Sequence, residues 1–226
     1  MRFRFSFIIA ALIALVLQSC KQKDGKALTE GEIHYKIEYS GNFGVPKEAL
    51  PQTLIFSFKK DKTLFEMLGM GNSGIANLTN PETGIYDSYF SLFFKKYYYS
   101  REPGESYPGL ESMDGLIIKK TSKTTIICGY KCMNAEVRLP SDGDTVREIW
   151  YTNEIRAKNP NASTPFRDID GVLMNFFFLM GPAELQFNAE SVYNKQVPDE
   201  TFMRRDDFVR VTRESINEFI NKMVSL

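Results

Sequence analysis

The sequence contains one histidine and three cysteines, and neither sign of charge is in excess. With His34 as the single histidine, metal sites that need several histidine ligands are excluded, and a Ser-His-Asp arrangement would have to use a residue on the polar face of a strand. The 28 basic residues are balanced by 28 acidic ones, whereas a nucleic-acid-binding surface needs a basic excess. We therefore expect no metal, no cofactor and no nucleic-acid partner.

The sequence also lacks an apolar run long enough to cross a membrane, because a spanning helix needs about 20 apolar residues. Its longest such run, Phe7 to Leu17, follows Arg2 and Arg4 and ends at polar residues. Positive charge followed by a short apolar segment is typical of a secretory signal peptide. We predict that residues 1–19 are a leader that is removed.

The end of this leader reads Leu17-Gln18-Ser19-Cys20 and resembles the lipobox of bacterial lipoproteins, in which the cysteine receives the lipid. An ordinary secreted protein with a chance cysteine at this point is the alternative. The prediction is lipidation at Cys20, a flexible tether over residues 20–29, and a single β-rich domain over residues 30–226. Lys21 is not the aspartate that retains lipoproteins in the inner membrane of enteric bacteria, so we expect a membrane-anchored envelope protein of the outer membrane.

The remaining cysteines, Cys128 and Cys132, are separated by Gly129-Tyr130-Lys131. In an exported protein such a pair can persist as a disulfide. A three-residue connection would place the two cysteines opposite one another on adjacent strands. We predict that they can form a disulfide across this hairpin.

Alternating apolar and polar residues predict many short strands. In the first, Glu32 to Tyr39, the residues Ile33, Tyr35, Ile37 and Tyr39 share one face. Later strand-like runs are separated by Asn, Asp, Gly and Pro residues; they are Thr53 to Lys59, Thr63 to Leu68, Ile75 to Leu78, Ile85 to Phe90, Leu92 to Tyr99, Leu116 to Lys120, Thr124 to Cys128, Lys131 to Leu139, Val146 to Thr152, Val172 to Leu179 and Glu184 to Tyr193.

The end of the chain is predicted to be helical. After Thr212, a suitable N-cap, the residues Ile216, Phe219, Ile220 and Met223 recur at helical spacing and form one apolar stripe. The predicted fold is mainly β (α+β): a curved antiparallel sheet or incomplete β-barrel with a C-terminal amphipathic helix.

Motifs that suggest catalysis are not supported by their context. Gly69 to Gly74 matches G-x-G-x-x-G, but a strand and a turn follow it, where a dinucleotide site needs a helix. Ser57-Phe58-Lys59-Lys60 echoes S-x-x-K inside a strand, without companion motifs. No residue set supplies a nucleophile, a base and an orienting group, so we predict that the protein is not an enzyme.

The order of features from about Ile117 onward resembles a family of uncharacterised Gram-negative lipoproteins related to the GLPGLI proteins and to the lipoprotein-carrier (LolA/LolB-like) fold. The matching segments are Ile127-Cys128-Gly129-Tyr130-Lys131-Cys132, Glu148 to Ile155, Asp170 to Met174, and Val197 to Phe202 before the last helix. The string that names the GLPGLI branch is absent. The resemblance implies a half-barrel, whose concave face in the carriers receives acyl chains.

Two functions compete on this sequence. In the first, the concave apolar face binds a lipid, acyl chain or other hydrophobic ligand in a cavity under the terminal helix. The candidate face comprises Phe176, Phe177, Phe178, Leu179 and Phe219. In the second, the protein is a structural or adhesion component of the envelope without a pocket, and the phenylalanine run belongs to a strand that is buried on both sides.

Overall fold

The computed structural model describes residues 27–41, 46–70, 73–92, 94–181 and 183–225. The predicted leader, the lipidation site Cys20 and most of the predicted tether lie outside the described residues. The side chain of Met223 lies outside them too.

Twelve strands are found in the described part of the chain. They are β1 (Glu30–Ser40), β2 (Thr53–Lys59), β3 (Lys62–Leu68), β4 (Gly74–Asn80), β5 (Ile85–Leu92), β6 (Lys95–Ser100), β7 (Ile117–Ile127), β8 (Tyr130–Arg138), β9 (Arg147–Thr152), β10 (Val172–Met180), β11 (Ala183–Tyr193) and β12 (Val209–Arg210).

All twelve strands form one sheet in the order β12-β6-β5-β4-β3-β2-β1-β11-β10-β9-β8-β7. The pairings are antiparallel except for the short parallel contact between β12 and β6. Because β12 and β7 end this order, the sheet is not closed into a barrel. The predicted fold class, mainly β with an open sheet and a C-terminal helix, is confirmed.

The first strand lies at the centre of the sheet. It pairs with β2 on one side and with β11 on the other, so that Ile37 lies beside Phe187 and Tyr35 lies beside Leu54. Ile33, Tyr35 and Ile37 are almost completely buried, as the alternation in the sequence predicts. The two halves of the chain are therefore joined through β1, whose buried face lies in the main core.

Each face of the sheet around β3, β4 and β5 is covered by a different core. Phe65, Met67 and Phe90 belong to the main core. Residues that alternate with these along the strands face the other way. Leu64, Leu78 and Tyr89 pack there against Val197 and Phe202. These strands are therefore buried on both faces, and the segment after β11 covers the second face.

The terminal helix α1 spans Arg213–Ser225. The Oγ1 atom of Thr212 accepts a hydrogen bond from the Ser215 amide at 3.3 Å, as expected for an N-cap. Ile216 and Ile220 are buried in the main core. Among the described residues, no helix has both the length and the apolar character that a membrane crossing requires.

Candidate functional site

The middle of the sheet is covered by two pieces of chain, residues 102–113 and α1, which we call the cover. Tyr107, Leu110 and Met113 of the first piece and Ile216 and Ile220 of the helix are buried in the main core. The two pieces pack tightly at Gly109, because a Cβ atom there would lie 2.8 Å from Cδ1 of Ile220, and the φ of Gly109 is +87°. A glycine is therefore required at this contact.

A small cavity of about 30 Å³ lies between the sheet and the cover. Its lining is mostly apolar, and it comes from β2, β3, β4, β10, β11 and the cover. The lining residues are Leu54, Phe65, Met67, Ile75, Asn77, Tyr107, Pro108, Leu110, Phe178, Met180 and Phe187.

The volume of this cavity corrects one expectation from the sequence. Small-molecule pockets hold roughly 300–1,000 Å³, and the ligand-binding interpretation requires a gap of that order under the helix. The cover fills that space, because Tyr107, Leu110, Ile216 and Ile220 all insert side chains against the sheet. In this closed arrangement the site has no room for an acyl chain.

The five residues of the predicted ligand face lie in different places. Phe178 lines the cavity. Phe176 lies next to it and stacks on Phe187 with ring centroids 4.8 Å apart. Phe177 is also buried, under the guanidinium of Arg147 at 5.2 Å. Leu179 is half-buried, and Phe219 packs edge-on against Tyr97.

The phenylalanine run belongs to a strand that is buried on both faces, since Phe176, Phe177 and Phe178 are at most 7% exposed. That alternative interpretation accounts for the run without any ligand. Only Phe178, of the five, lines the cavity.

Most of the charged contacts of the cover join its two pieces to each other. Arg213 at the start of α1 donates to Glu105 at 2.6 Å, to the carbonyl of Ser106 at 2.9 Å and to Glu111 at 2.8 Å. The amide of Asn217 also donates to Glu111, at 3.1 Å. The helix and the loop are therefore linked into one unit.

Fewer polar contacts join the cover to the sheet. The Tyr99 hydroxyl of β6 donates to Glu105 at 3.0 Å, and the Ser112 hydroxyl donates to the Leu179 carbonyl at 2.9 Å. Burial by itself raises the pKa of Glu105, but the hydrogen bonds from Glu102, Tyr99 and Arg213 outweigh it and leave the pKa below its ordinary value. Burial raises the pKa of Tyr107 to about 12, so this ring stays neutral.

Polar groups that sequence analysis did not single out as functional lie beside the cavity. Asn77 accepts a hydrogen bond from the Ser88 hydroxyl at 2.6 Å on the cavity side of β4. Arg101, which follows β6, is 4% exposed and stacks on the Tyr107 ring at 4.8 Å. Burial lowers the pKa of the Arg101 guanidinium, which remains charged at neutral pH. The sequence around Arg101 does not indicate that this side chain is buried, because it shows only an arginine after a tyrosine-rich strand.

The geometry predicted around Cys128 and Cys132 is wrong. The turn between β7 and β8 contains two residues, Cys128 and Gly129, because Ile127 pairs with Tyr130. Cys132 consequently lies opposite Thr125, and both side chains are thiols in the structure. The Cys128 thiol donates to the Ala189 carbonyl at 3.3 Å. The disulfide itself stays a prediction, and its formation would require this turn to rearrange.

A larger groove, of about 410 Å³, lies where β7 bulges away from β8. It is lined by Thr121, Ser122, Lys123, Thr124, Lys131, Met133, Asn153 and Glu154. Seven of its eight lining residues are polar or charged, and Met133 is the apolar one. Within the described ranges, no three His, Cys, Asp or Glu residues are grouped as metal ligands would be.

Comparison with known proteins supports the fold alone. No family model matches the chain, and no curated protein matches it. The chain is similar to a solved structure of PNGF-II over 86% of its length, with a TM-score of 0.54 and 19% identity, and it spans about a third (33%) of that protein. It also aligns with the Mycobacterium tuberculosis lipoprotein LppX at a TM-score of 0.34 and 14% identity, over 84% of this chain and 98% of LppX. The LppX alignment is too distant to support an argument, and the PNGF-II alignment shows a similar fold over the aligned part of the chain.

Proposed function

We propose that this chain is an envelope lipoprotein, anchored through Cys20, that takes up a hydrophobic chain between its sheet and its cover. The observation that carries the proposal is the apolar cavity at that interface. Phe178 and Phe187 line it from one half of the sheet, and Leu54 and Phe65 line it from the other. Buried apolar surface of this kind is where an acyl chain gains most by leaving water.

Uptake requires the cover to move, because about 30 Å³ is far too small for an acyl chain. The ion pairs of Arg213 with Glu105 and Glu111 lie within the cover, so they need not break when the cover moves as a unit. What opening must break is apolar contact, together with the hydrogen bonds that join the cover to the rest of the molecule at Tyr99, Ser112, Arg101, Arg167 and the Tyr107 amide. A bound acyl chain would replace that apolar contact with its own.

Fluorescence of the neutral probe N-phenyl-1-naphthylamine tests the proposal. The purified domain should bind the probe, and palmitate should displace it. Phe178→Trp should block binding because the larger ring fills the space that the ligand would occupy; overpacking of this kind costs about 1–3 kcal/mol.

Phe177→Trp is the matched control, since this residue is on the same strand and also buried but does not line the cavity. It should bind the probe as the wild type does. Circular dichroism and cooperative urea unfolding establish that both variants are folded. A wild-type domain that binds no probe, or a folded Phe178→Trp variant that binds it normally, contradicts the proposal and leaves a structural envelope protein without a pocket.

A further inference from the structure

Arg101 is a buried cation whose hydrogen-bond partners are all neutral. Its guanidinium donates to the carbonyls of Glu105 at 3.1 Å and Leu78 at 3.2 Å, and to the Ser163 hydroxyl at 2.7 Å. Its Nε atom is buried without a hydrogen-bond partner. A buried charge is costly unless a counter-charge or a full set of hydrogen bonds compensates it, and here neither is complete.

The carboxylates nearest to Arg101 are engaged with other cations. Glu105 is bonded to Arg213, and Asp87 receives two hydrogen bonds from Arg204, at 2.7 and 3.1 Å. Among the described side chains, none places a carboxylate oxygen in ion-pair contact with Arg101. The positive charge therefore lacks a bonded anion in the closed structure.

Arg101 lies directly behind the cavity. Tyr107, which lines the cavity, stacks on the guanidinium, and Leu78, whose carbonyl accepts a hydrogen bond from Arg101, is the neighbour of the cavity residue Asn77 on β4. Tyr107 belongs to the cover, so a displacement of the cover that opens the cavity also uncovers the guanidinium. The same movement therefore exposes the apolar cavity and the cation beside it.

We infer that the ligand is a single acyl chain with a carboxylate head group, and that Arg101 is the counter-charge for this carboxylate. This inference rests on the proposed function and adds the chemical class of its ligand. The guanidinium can donate two parallel hydrogen bonds to a carboxylate, which a neutral alcohol or ester head group cannot match.

Palmitate and hexadecanol separate the head group from the chain, because both have sixteen carbons and only palmitate is charged. In displacement of N-phenyl-1-naphthylamine, palmitate should act at a concentration at least about tenfold lower than hexadecanol. Arg101→Gln should remove that preference while hexadecanol binding persists. Arg156→Gln, at an exposed arginine outside the cover, is the matched control and should keep the preference.

A second measurement uses the wild-type protein, so its result does not depend on whether the Arg101→Gln variant folds. The carboxyl carbon of bound [1-¹³C]palmitate should stay in its ionised chemical-shift position from pH 7 down to about pH 4, because the guanidinium favours the anion. Equal displacement by palmitate and hexadecanol, or a bound carboxyl that titrates as in water, overturns the inference about Arg101 and leaves the proposed function standing. Failure of both compounds to displace the probe overturns the proposed function as well.

Discussion

Asp87 is fully buried on β5, on the face that carries the smaller core. Arg204 donates to both of its carboxylate oxygens, and the Tyr89 hydroxyl donates to one of them at 3.0 Å. Arg204 lies in the segment that covers this face, 117 positions further along the chain. The pair therefore ties a distant segment to the sheet, in a place where the carboxylate cannot be solvated.

Removal of the arginine should destabilise the protein strongly. Arg204→Ala leaves the Asp87 carboxylate buried without its cation, and we expect a loss of about 2–3 kcal/mol in the free energy of unfolding, since the arginine itself is partly exposed and water can replace part of the interaction. Urea denaturation measures the loss. Arg156→Ala, at an exposed arginine, should stay within about 0.5 kcal/mol of the wild type. A similarly small effect for Arg204→Ala would mean that the pair contributes little to stability.

Residue positions that depend on local pattern could be predicted from the sequence, and positions that depend on distant partners could not. Alternation in β1 identified Ile33, Tyr35 and Ile37 as core residues, because the side-chain period of a strand is local. The burial of Asp87 and Arg101 depends on Arg204 and Ser163, which are far away in sequence. Charged residues are usually exposed, so the sequence alone does not indicate that Asp87 and Arg101 are buried.

Among the elements, the terminal helix was predicted closely, whereas two strand boundaries were not. The helix predicted after Thr212, with its apolar stripe as far as Met223, corresponds to α1 at Arg213–Ser225. The runs Leu116 to Lys120 and Thr124 to Cys128 form one strand, β7, with a register shift between Lys120 and Thr124. The sequence signal of a bulge resembles that of a turn, because both interrupt the alternation of side chains.

The role of the loop at residues 102–113 could not be predicted from the sequence. The loop contains Pro103, Gly104, Pro108 and Gly109, which mark a turn-rich connection without periodicity. In the structure this connection covers the cavity and carries the partners of Arg213. Its role depends on contact with α1, more than 100 residues away, at the Gly109–Ile220 approach.

Acid should loosen the cover through Glu105. The pKa of this carboxyl is below its ordinary value in the folded protein, so its contribution to stability is present above the unfolded pKa and is lost as the pH falls through the folded pKa. We expect Glu105→Gln to lower the free energy of unfolding by about 1 kcal/mol at pH 7. The difference from the wild type should shrink as the pH falls through the lowered pKa of Glu105, because the wild-type carboxyl then becomes neutral too.

Urea denaturation of both proteins between pH 7 and pH 3 provides the comparison. Glu200→Gln, at an exposed glutamate, should follow the wild type at every pH. If the Glu105→Gln difference were constant across this range, the charge of Glu105 would not be what holds the cover.

At the scale of the whole molecule, the sheet order depends on two long-range pairings that could not be predicted from the sequence, the short contact of β12 with β6 and the longer pairing of β1 with β11. Neighbouring strands from β1 to β6 and from β7 to β11 pair in chain order, as hairpin turns favour. The two series are joined where β1 meets β11, with Glu32 beside Tyr193. Both strands carry a suitable alternating pattern, but so do several others, and only packing of the complete core selects this pair.

The pairing of β1 with β11 also sets where the predicted anchor would lie relative to the cavity. The chain enters the sheet at Glu30, the first residue of β1, whereas the cavity residues Leu54 and Phe187 lie beside Tyr35 and Ile37, in the second half of that strand. An anchor at Cys20 would therefore join the sheet at the opposite end from the cover. Leu28 is buried and its carbonyl accepts a hydrogen bond from the Arg156 amide, so only residues 20–27 precede the fixed part of the chain. Eight residues can span at most about 28 Å, which limits how far the domain can lie from a lipid on Cys20.

Lipidation at Cys20 is the prediction on which this arrangement depends. Cells that express the full chain and are fed an alkyne-bearing fatty acid should yield a labelled protein, because the leader places Ser19 and then Cys20 at its end. Cys20→Ala should abolish the label, whereas Cys128→Ala should retain it, since Cys128 lies in the turn between β7 and β8. Labelled protein should also sediment with membranes, because more than one acyl chain gives stable anchoring where a single chain does not. Label that persists in Cys20→Ala would place the lipid elsewhere, and the domain would then have no fixed orientation relative to the membrane.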